Sequence, residues 1–90
     1  MGMNAAIRRE AFSDRLRMAL AWAGYPVNSK REFHAEFNRR YEGKPLSLAS
    51  IYRWVDADAY PTEDKLSVIV GMLGVSPDWL RHGSGDPRRR

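Results

Sequence analysis

The side chains best suited to binding a charged partner are basic or hydroxyl groups at two predicted helix starts and in one short segment. Lys30 and Ser47 stand where two helices are expected to begin, so free backbone amides and the helix dipole favour an anion beside them. The other candidates for phosphate binding are Ser29, Arg31, Arg39, Arg40 and Lys44. The alternative interpretation of these residues is an ordinary solvated basic face.

The sequence holds no recognisable catalytic or metal-binding constellation. His34 and His82 are isolated and the chain has no cysteine, so no ligands stand at metal-binding spacing. Serine, histidine and aspartate occur without a nucleophile elbow, and the glycine-rich segment 83–85 is too short to cradle a phosphate. We therefore expect no enzyme activity, no metal and no cofactor.

Length and charge restrict the class of protein further. The 90 residues fit one small domain, of which 43% are hydrophobic, enough for a packed core. No apolar run approaches the roughly 20 residues that span a bilayer, and no secretory signal precedes residue 10, so we expect a cytoplasmic protein without a membrane partner. The net charge of +4 is uneven: residues 1–45 carry +4, residues 46–80 carry −3 and residues 81–90 carry +3. This excess favours a polyanionic partner.

Two amphipathic helices are predicted in the first half of the chain. The first spans about residues 4–23 and ends at Gly24. Ser29 is predicted to cap the second, with Glu32 completing a capping box. The aromatic rings expected along its inner face are Phe33, Phe37 and Tyr41.

Shorter helices are predicted in the second half, each with one apolar face and a cap residue. The caps are Ser47, Thr62 and Ser76. The side chains expected in the core are Phe33, Phe37, Ile51, Trp54, Leu66, Ile69, Leu73, Trp79 and Leu80. The sequence therefore predicts an all-α fold, a compact bundle of four to five short helices over residues 1–83. Residues 84–90 are predicted to form a flexible basic tail, or else an arm that contacts phosphates.

Four segments in this order resemble one known family, the Cro and lambda-repressor-like helix-turn-helix domains, also called the xenobiotic-response-element family. The segments similar to its first three helices are "FSDRLRMALAWAG" (12–24), "SKREF" (29–33) and "SLASIYRW" (47–54). The closing "LGVSPDWLRHG" (73–83) resembles the end of the phage-repressor variant. The resemblance covers about 72 of the 90 residues and implies a lambda repressor-like helix-turn-helix fold.

Three positions depart from the family pattern. Lys30 stands where family members usually have a glutamine that grips a phosphate, and a lysine binds phosphate as a point charge without the geometry of an amide. Residues 38–46 replace the usual tight turn between the second and third helices, which lengthens the second helix or widens the turn. Tyr52 stands where a serine is usual.

The resemblance implies a sequence-specific regulator of transcription, of bacterial or phage type and commonly a repressor, that binds double-stranded DNA in the nucleoid. Such proteins bind a palindromic operator as a homodimer, with the third helix in the major groove. The base-reading residues carried over by position are Leu48, Ala49, Tyr52 and Arg53. Alternatively, Leu48 and Tyr52 pack against the core and Arg53 faces a phosphate or an intramolecular acid. Trp22 and Tyr60 are candidates for the homodimer patch.

A second class of function stays open at this point. A short domain of this type can also serve as an antitoxin-like or adaptor module whose main partner is a protein, a toxin or a co-regulator. The acidic stretch 56–64 would then form the contact face. A mass measurement on the purified protein with any co-purifying partner distinguishes the two classes.

Overall fold

Five helices form the part of the chain that the computed structural model describes, residues 5–26 and 29–88. They are α1 (Ala5–Trp22), α2 (Arg31–Arg40), α3 (Leu48–Val55), α4 (Glu63–Leu73) and α5 (Pro77–His82). These described residues form no strand beyond a single isolated bridge between Val75 and Arg88. The predicted all-α bundle of four to five helices is confirmed.

The apolar faces of all five helices meet in one core. Its buried side chains are Phe12, Leu16, Ala19, Leu20, Phe33, Phe37, Ile51, Trp54, Val55, Leu66, Ile69, Val70, Leu73, Val75, Trp79 and Leu80. Every side chain predicted for the core is among them. The radius of gyration of 12.4 Å matches the roughly 12 Å expected for a compact chain of this length.

Three predicted helix boundaries are confirmed in their atomic detail. The hydroxyl of Ser47 accepts the N–H of Ser50 at 3.2 Å, and the hydroxyl of Ser76 accepts the N–H of Trp79 at 3.3 Å. Gly74 ends α4 in the left-handed region, at a φ of 68°. The two serine hydroxyls pair with backbone N–H groups that the first turn of each helix leaves free, and the left-handed glycine turns the chain away from α4.

The predicted capping box at the start of α2 is wrong. The helix begins at Arg31, so Lys30 takes the cap position and makes no side-chain cap bond. The hydroxyl of Ser29 accepts the N–H of Arg31 at 3.3 Å, one residue earlier than a capping box requires. Glu32 still lies in the first turn, where the dipole favours an acid.

The end of α2 and the start of α4 also differ from the prediction, because their polar groups bind each other. Tyr41 is extended rather than helical, although its ring stays 5.2 Å from that of Phe37, and its hydroxyl donates to Asp64 at 2.6 Å. Thr62 occupies the cap position of α4, but its hydroxyl donates to Asp64 at 2.5 Å, accepts from Nζ of Lys65 at 3.2 Å and makes no cap bond to a backbone amide. A Cβ at Gly43 would lie 2.7 Å from the end of the Tyr41 side chain, so any other residue there would have to displace Tyr41 from its place beside Asp64.

The segment that follows α5 returns to the body of the protein. The carbonyl of Pro87 accepts the N–H of Ser76 at 2.9 Å, next to the bridge between Val75 and Arg88. The domain boundary at residue 83 and the flexibility of the basic tail stay predictions. The last two arginines of that tail and the predicted start of the first helix at residue 4 lie outside the described residues.

Candidate nucleic-acid interface

One face of α3 is buried and the opposite face is open to solvent. Ile51, Trp54 and Val55 are 0%, 5% and 2% exposed. Ala49 and Arg53 are exposed, and at about 100° per residue they lie about 160–200° around the helix from Ile51. The exposed face of α3 therefore carries the small side chain of Ala49 and the long, hydrogen-bonding side chain of Arg53, while the buried face fixes the helix against the core.

The four predicted base-reading residues fall into two pairs. Ala49 and Arg53 lie on the open face, whereas Leu48 and Tyr52 are half-buried on its flank. Among the described residues no acid pairs with Arg53, and its guanidinium makes no hydrogen bond to them. The alternative in which an intramolecular acid holds Arg53 is therefore not observed in this part of the chain.

The start of α3 is held by a side-chain clamp on the preceding loop. The amide of Asn38 donates to the carbonyl of Leu46 at 2.9 Å and accepts the N–H of Leu46 at 3.0 Å. Nε2 of His34 lies 2.7 Å from the same carbonyl, so the tautomer with its proton on Nε2 donates to it. Sequence analysis missed this clamp, since Asn38 carries no local signal for a contact eight residues away.

The end of α3 is held by polar side chains of α1. The carbonyl of Val55 accepts from the hydroxyl of the fully buried Ser13 and from Nη1 of Arg17, the latter at 2.7 Å. Nε of Arg9 donates to the carbonyl of Ala57 at 3.2 Å. Cationic donors at a helix C-terminus satisfy unpaired carbonyls and oppose the dipole.

A third arginine of α1 performs the same task at α5. Arg15 donates from Nε to the carbonyl of Leu80 at 3.0 Å and from Nη2 to that of Arg81 at 3.1 Å. Three of the nine basic side chains in residues 1–45 therefore close helix ends inside the fold. The sequence offered no signal for these roles, because the contacts join residues 38 to 66 positions apart.

The phosphate candidates at the two helix starts differ in exposure, and Ser47 is open to solvent. Ser29 and Lys30 are half-buried, while Arg31 is open to solvent. The hydroxyl of Ser47 is used by its cap, and its oxygen also lies 3.2 Å from that of Ser50.

The arginines near the end of α2 share one carboxylate. Glu36 accepts from Arg39 at 2.5 and 2.9 Å and from Arg40 at 2.5 Å. Hydrogen bonds from Arg39 and then Arg40 lower the pKa of Glu36 to about 2, so the carboxylate is ionised at neutral pH. The two arginines lie about 100° and 200° around α2 from Asn38, whose side chain reaches the loop leading to α3. Lys44 is exposed on that loop.

The four carboxylates of the acidic stretch 56–64 are all exposed, and two of them have intramolecular partners. The carboxylate of Asp64 accepts from Tyr41 and Thr62, and that of Glu63 pairs with Arg81 at 2.6 Å. Asp56 and Asp58 are exposed.

The described residues contain neither a cluster of metal ligands nor a helix that could span a membrane. Across residues 5–26 and 29–88, no three histidine or acidic side chains come together as ligands for a metal ion. Within the same residues, no helix combines the length and apolarity that crossing a bilayer demands.

Comparison with known proteins finds similarity to a bacteriophage repressor. The chain is similar to the 26 kDa repressor protein of Escherichia phage HK022, with 30% identity over 78 residues, or 87% of this chain. It spans only 30% of the length of that relative. No protein-family model matches the chain, and no solved structure matches it.

Proposed function

We propose that this chain is a non-enzymatic regulator of transcription that binds double-stranded DNA with α2 and α3 as a helix-turn-helix. In this proposal α3 enters the major groove, which is about 12 Å wide and admits one helix. The observation that carries the proposal is the open face of α3: Arg53 and Ala49 project from a helix whose other face is buried and whose two ends are clamped. The similarity to a phage repressor supports the same function.

Arg53 is the proposed specificity residue, because its planar fork suits the two acceptors of guanine in the major groove. Ala49 and the half-buried Leu48 are suited to contacts with a thymine methyl, and Tyr52 to a base edge or a phosphate. The proposed phosphate contacts position α3 without reading sequence; they are Arg31, Arg39, Arg40 and Lys44. Ser29, Lys30 and Ser47 add contacts at the two helix starts.

The proposed assembly is a homodimer on an operator with inverted half-sites about one helical turn apart. An exposed apolar face on α1 supports it: Met18 and Trp22 are 44% and 54% exposed, and the Trp22 ring lies 5.3 Å from that of Trp79. Tyr60, the other residue predicted for a dimer patch, is 38% exposed, and its ring lies 4.5 Å from that of Phe12. Phe12 lies about 15 Å along α1 from Trp22, so Tyr60 and Trp22 would belong to different parts of the surface.

The first test is selection from a random duplex library at near-physiological salt, with sequencing of the bound pool. Enrichment of an inverted repeat is the expected result, and its spacing reports the dimer geometry. A pool without enrichment, bound only weakly and in a salt-sensitive manner, contradicts the proposal. A module whose main partner is a protein would then become the leading hypothesis.

Substitution of Arg53 tests the reading face directly. Arg53→Ala is expected to cost about 1–3 kcal/mol on the selected site and little on random duplex, since only base contacts distinguish the two. Arg31→Ala is the matched control: loss of a phosphate contact weakens binding to both duplexes alike and lowers the slope of affinity against salt by about 1. Fluorescence anisotropy titrations at several salt concentrations provide both quantities. Unchanged specific affinity in Arg53→Ala would exclude this face of α3.

A further inference from the structure

A cleft of about 550 Å³ opens between α1 and α5, beside the loop that follows α3. Its volume is within the range of small-molecule sites, about 300–1,000 Å³. The side chains that give it polar character are Arg8, Arg15, Tyr60, Glu63, Arg81 and His82. None of them belongs to the proposed DNA-reading face.

Positive charge in the cleft exceeds negative charge. Arg8, Arg15 and Arg81 contribute three guanidinium groups, and Glu63 is the one carboxylate among the lining residues. Arg15 is held by backbone carbonyls and so keeps its full charge, and Arg8 makes no ion pair with any described residue. Glu63 lies at the rim, with 75% of its side chain exposed, although it pairs with Arg81 at 2.6 Å.

One donor in this cluster is buried without a partner. Nε of Arg81 is buried and makes no hydrogen bond with the described residues. Leaving a buried donor unsatisfied is costly, and more so for a charged group, so such donors are rare in folded proteins. An oxygen that reached this N–H would remove the cost.

We propose that the cleft binds a small organic anion through a carboxylate or phosphate group. Displacement of the exposed Glu63 would let the guanidinium of Arg81 turn its Nε and an Nη toward the anion as a two-pronged donor, and Arg8 would close the site from α1. The ring of Tyr60, fixed against Phe12 at 4.5 Å, supplies an apolar wall for the organic part. This site does not depend on the proposed function, because no DNA is needed to form it.

The cleft also has a path to α3. Tyr60 borders a second, smaller cleft of about 260 Å³ together with Ser50 and Arg53 of α3. An anion bound on one side of the Tyr60 ring therefore lies one side chain away from the proposed reading helix.

The test is a titration of the ¹⁵N-labelled full chain by NMR, with citrate and adenosine monophosphate as separate probes. Chloride at the same ionic strength provides the reference. The signals to follow are the arginine Nε–H resonances, above all that of Arg81, whose exchange with water should slow on binding. We expect a saturable shift with at least one probe; citrate and the nucleotide separate a carboxylate ligand from a phosphate ligand.

Two variants with the same change in charge complete the test. Arg8→Ala is expected to weaken binding about fivefold, the loss of one exposed charged contact, and Arg88→Ala, which removes an exposed side chain that does not line the cleft, to leave it unchanged. Neither side chain contributes to the core, so both variants should fold. Shifts that do not saturate, that chloride reproduces, or that both variants weaken equally would overturn the proposal. So would a cleft that responds only to duplex DNA.

Discussion

At the level of single residues, the arginines of α1 have a role that differs from the one their charge suggests. Arg9, Arg15 and Arg17 each donate to a backbone carbonyl at or just beyond the end of another helix. Arginine suits this task because its five donors reach several acceptors while the charge opposes the helix dipole. A net positive charge is therefore weak support for a polyanion partner unless the arginines that bind groups of the same chain are left out of the count.

The contact between Arg17 and Val55 gives a prediction for stability. Arg17→Ala is expected to lower the free energy of unfolding by about 1 kcal/mol, because the carbonyl of Val55 then keeps only the hydroxyl of Ser13. The control Arg31→Ala removes an exposed arginine and should stay within about 0.5 kcal/mol of the wild type. Urea denaturation followed by tryptophan fluorescence measures both. Equal values would mean that the α1 contact does not stabilise α3.

Asp64 gives a prediction for the pH dependence of stability. Hydrogen bonds from Thr62 and then Tyr41 lower its pKa to about 2, below the ordinary value of 3.8. A carboxyl with a depressed folded-state pKa contributes stability that is present above about pH 4–5 and is lost as the pH falls toward 2. The urea midpoint of the wild type should therefore exceed that of Asp64→Asn at pH 7, and the gap should close by pH 2.

The control for this experiment is Glu42→Gln, which removes one negative charge from an exposed side chain of the loop after α2. Its midpoint should follow that of the wild type across the same pH range. A gap between wild type and Asp64→Asn that does not change with pH would contradict the assignment.

At the level of helices and turns, the residues that follow α3 and α4 include one each in the left-handed backbone region, and only one of the two is a glycine. Gly74 has a φ of 68° and Ala57 has a φ of 66°. Glycine adopts this region freely, whereas a Cβ costs about 1–2 kcal/mol there. Ala57 is held in place by the N–H of Arg9 on its carbonyl and by the reversal of the chain after α3.

These two positions provide a matched pair of substitutions. Ala57→Gly is expected to raise the free energy of unfolding by about 0.5–1 kcal/mol, because relief of the strained φ exceeds the entropy gained by the unfolded chain. Gly74→Ala should lower it by about 1 kcal/mol; a Cβ there meets no atom within 4 Å, so only the backbone conformation opposes it. Thermal unfolding measured by circular dichroism tests both, and changes of the same sign would refute the argument.

At the level of the whole molecule, intramolecular pairing determines how much of the basic surface is available to a polyanion. Glu36 neutralises part of the charge of Arg39 and Arg40, whereas Arg31, Lys44 and Arg53 are exposed. Under the proposed function, the Glu36 carboxylate therefore weakens the contacts of Arg39 and Arg40 with phosphates.

Removal of that restraint should strengthen binding to random duplex DNA. Glu36→Gln frees both arginines, so we expect the slope of log affinity against log salt to steepen by about 1, one additional phosphate contact. Glu10→Gln, an exposed carboxylate of α1, makes the same change in net charge and should leave the slope unchanged. Identical slopes in the two variants would mean that net charge alone governs the binding.

Much of the fold could be predicted from local pattern. The helices and the buried positions follow from periodic apolar residues, and Ser47, Ser76 and Gly74 mark boundaries that the structure retains. These predictions succeed because each depends on residues within two turns of one another. The two caps that failed are those where a neighbouring polar group competes for the hydroxyl or where the helix begins one residue later.

The order of residues along the chain thus settled which segments are helical, which faces are apolar and which side chains are available for chemistry, since these properties arise from short-range periodicity and capping. The folded arrangement settled which polar groups are used up. Arg17 and Asn38 hold α3 at its two ends through contacts with residues that lie 38 and 8 positions away in the sequence. Glu36 pairs with Arg39 and Arg40, two of the candidate phosphate contacts, whereas Arg53 stays exposed. Such contacts leave no periodic trace, because their geometry exists only after the helices have packed.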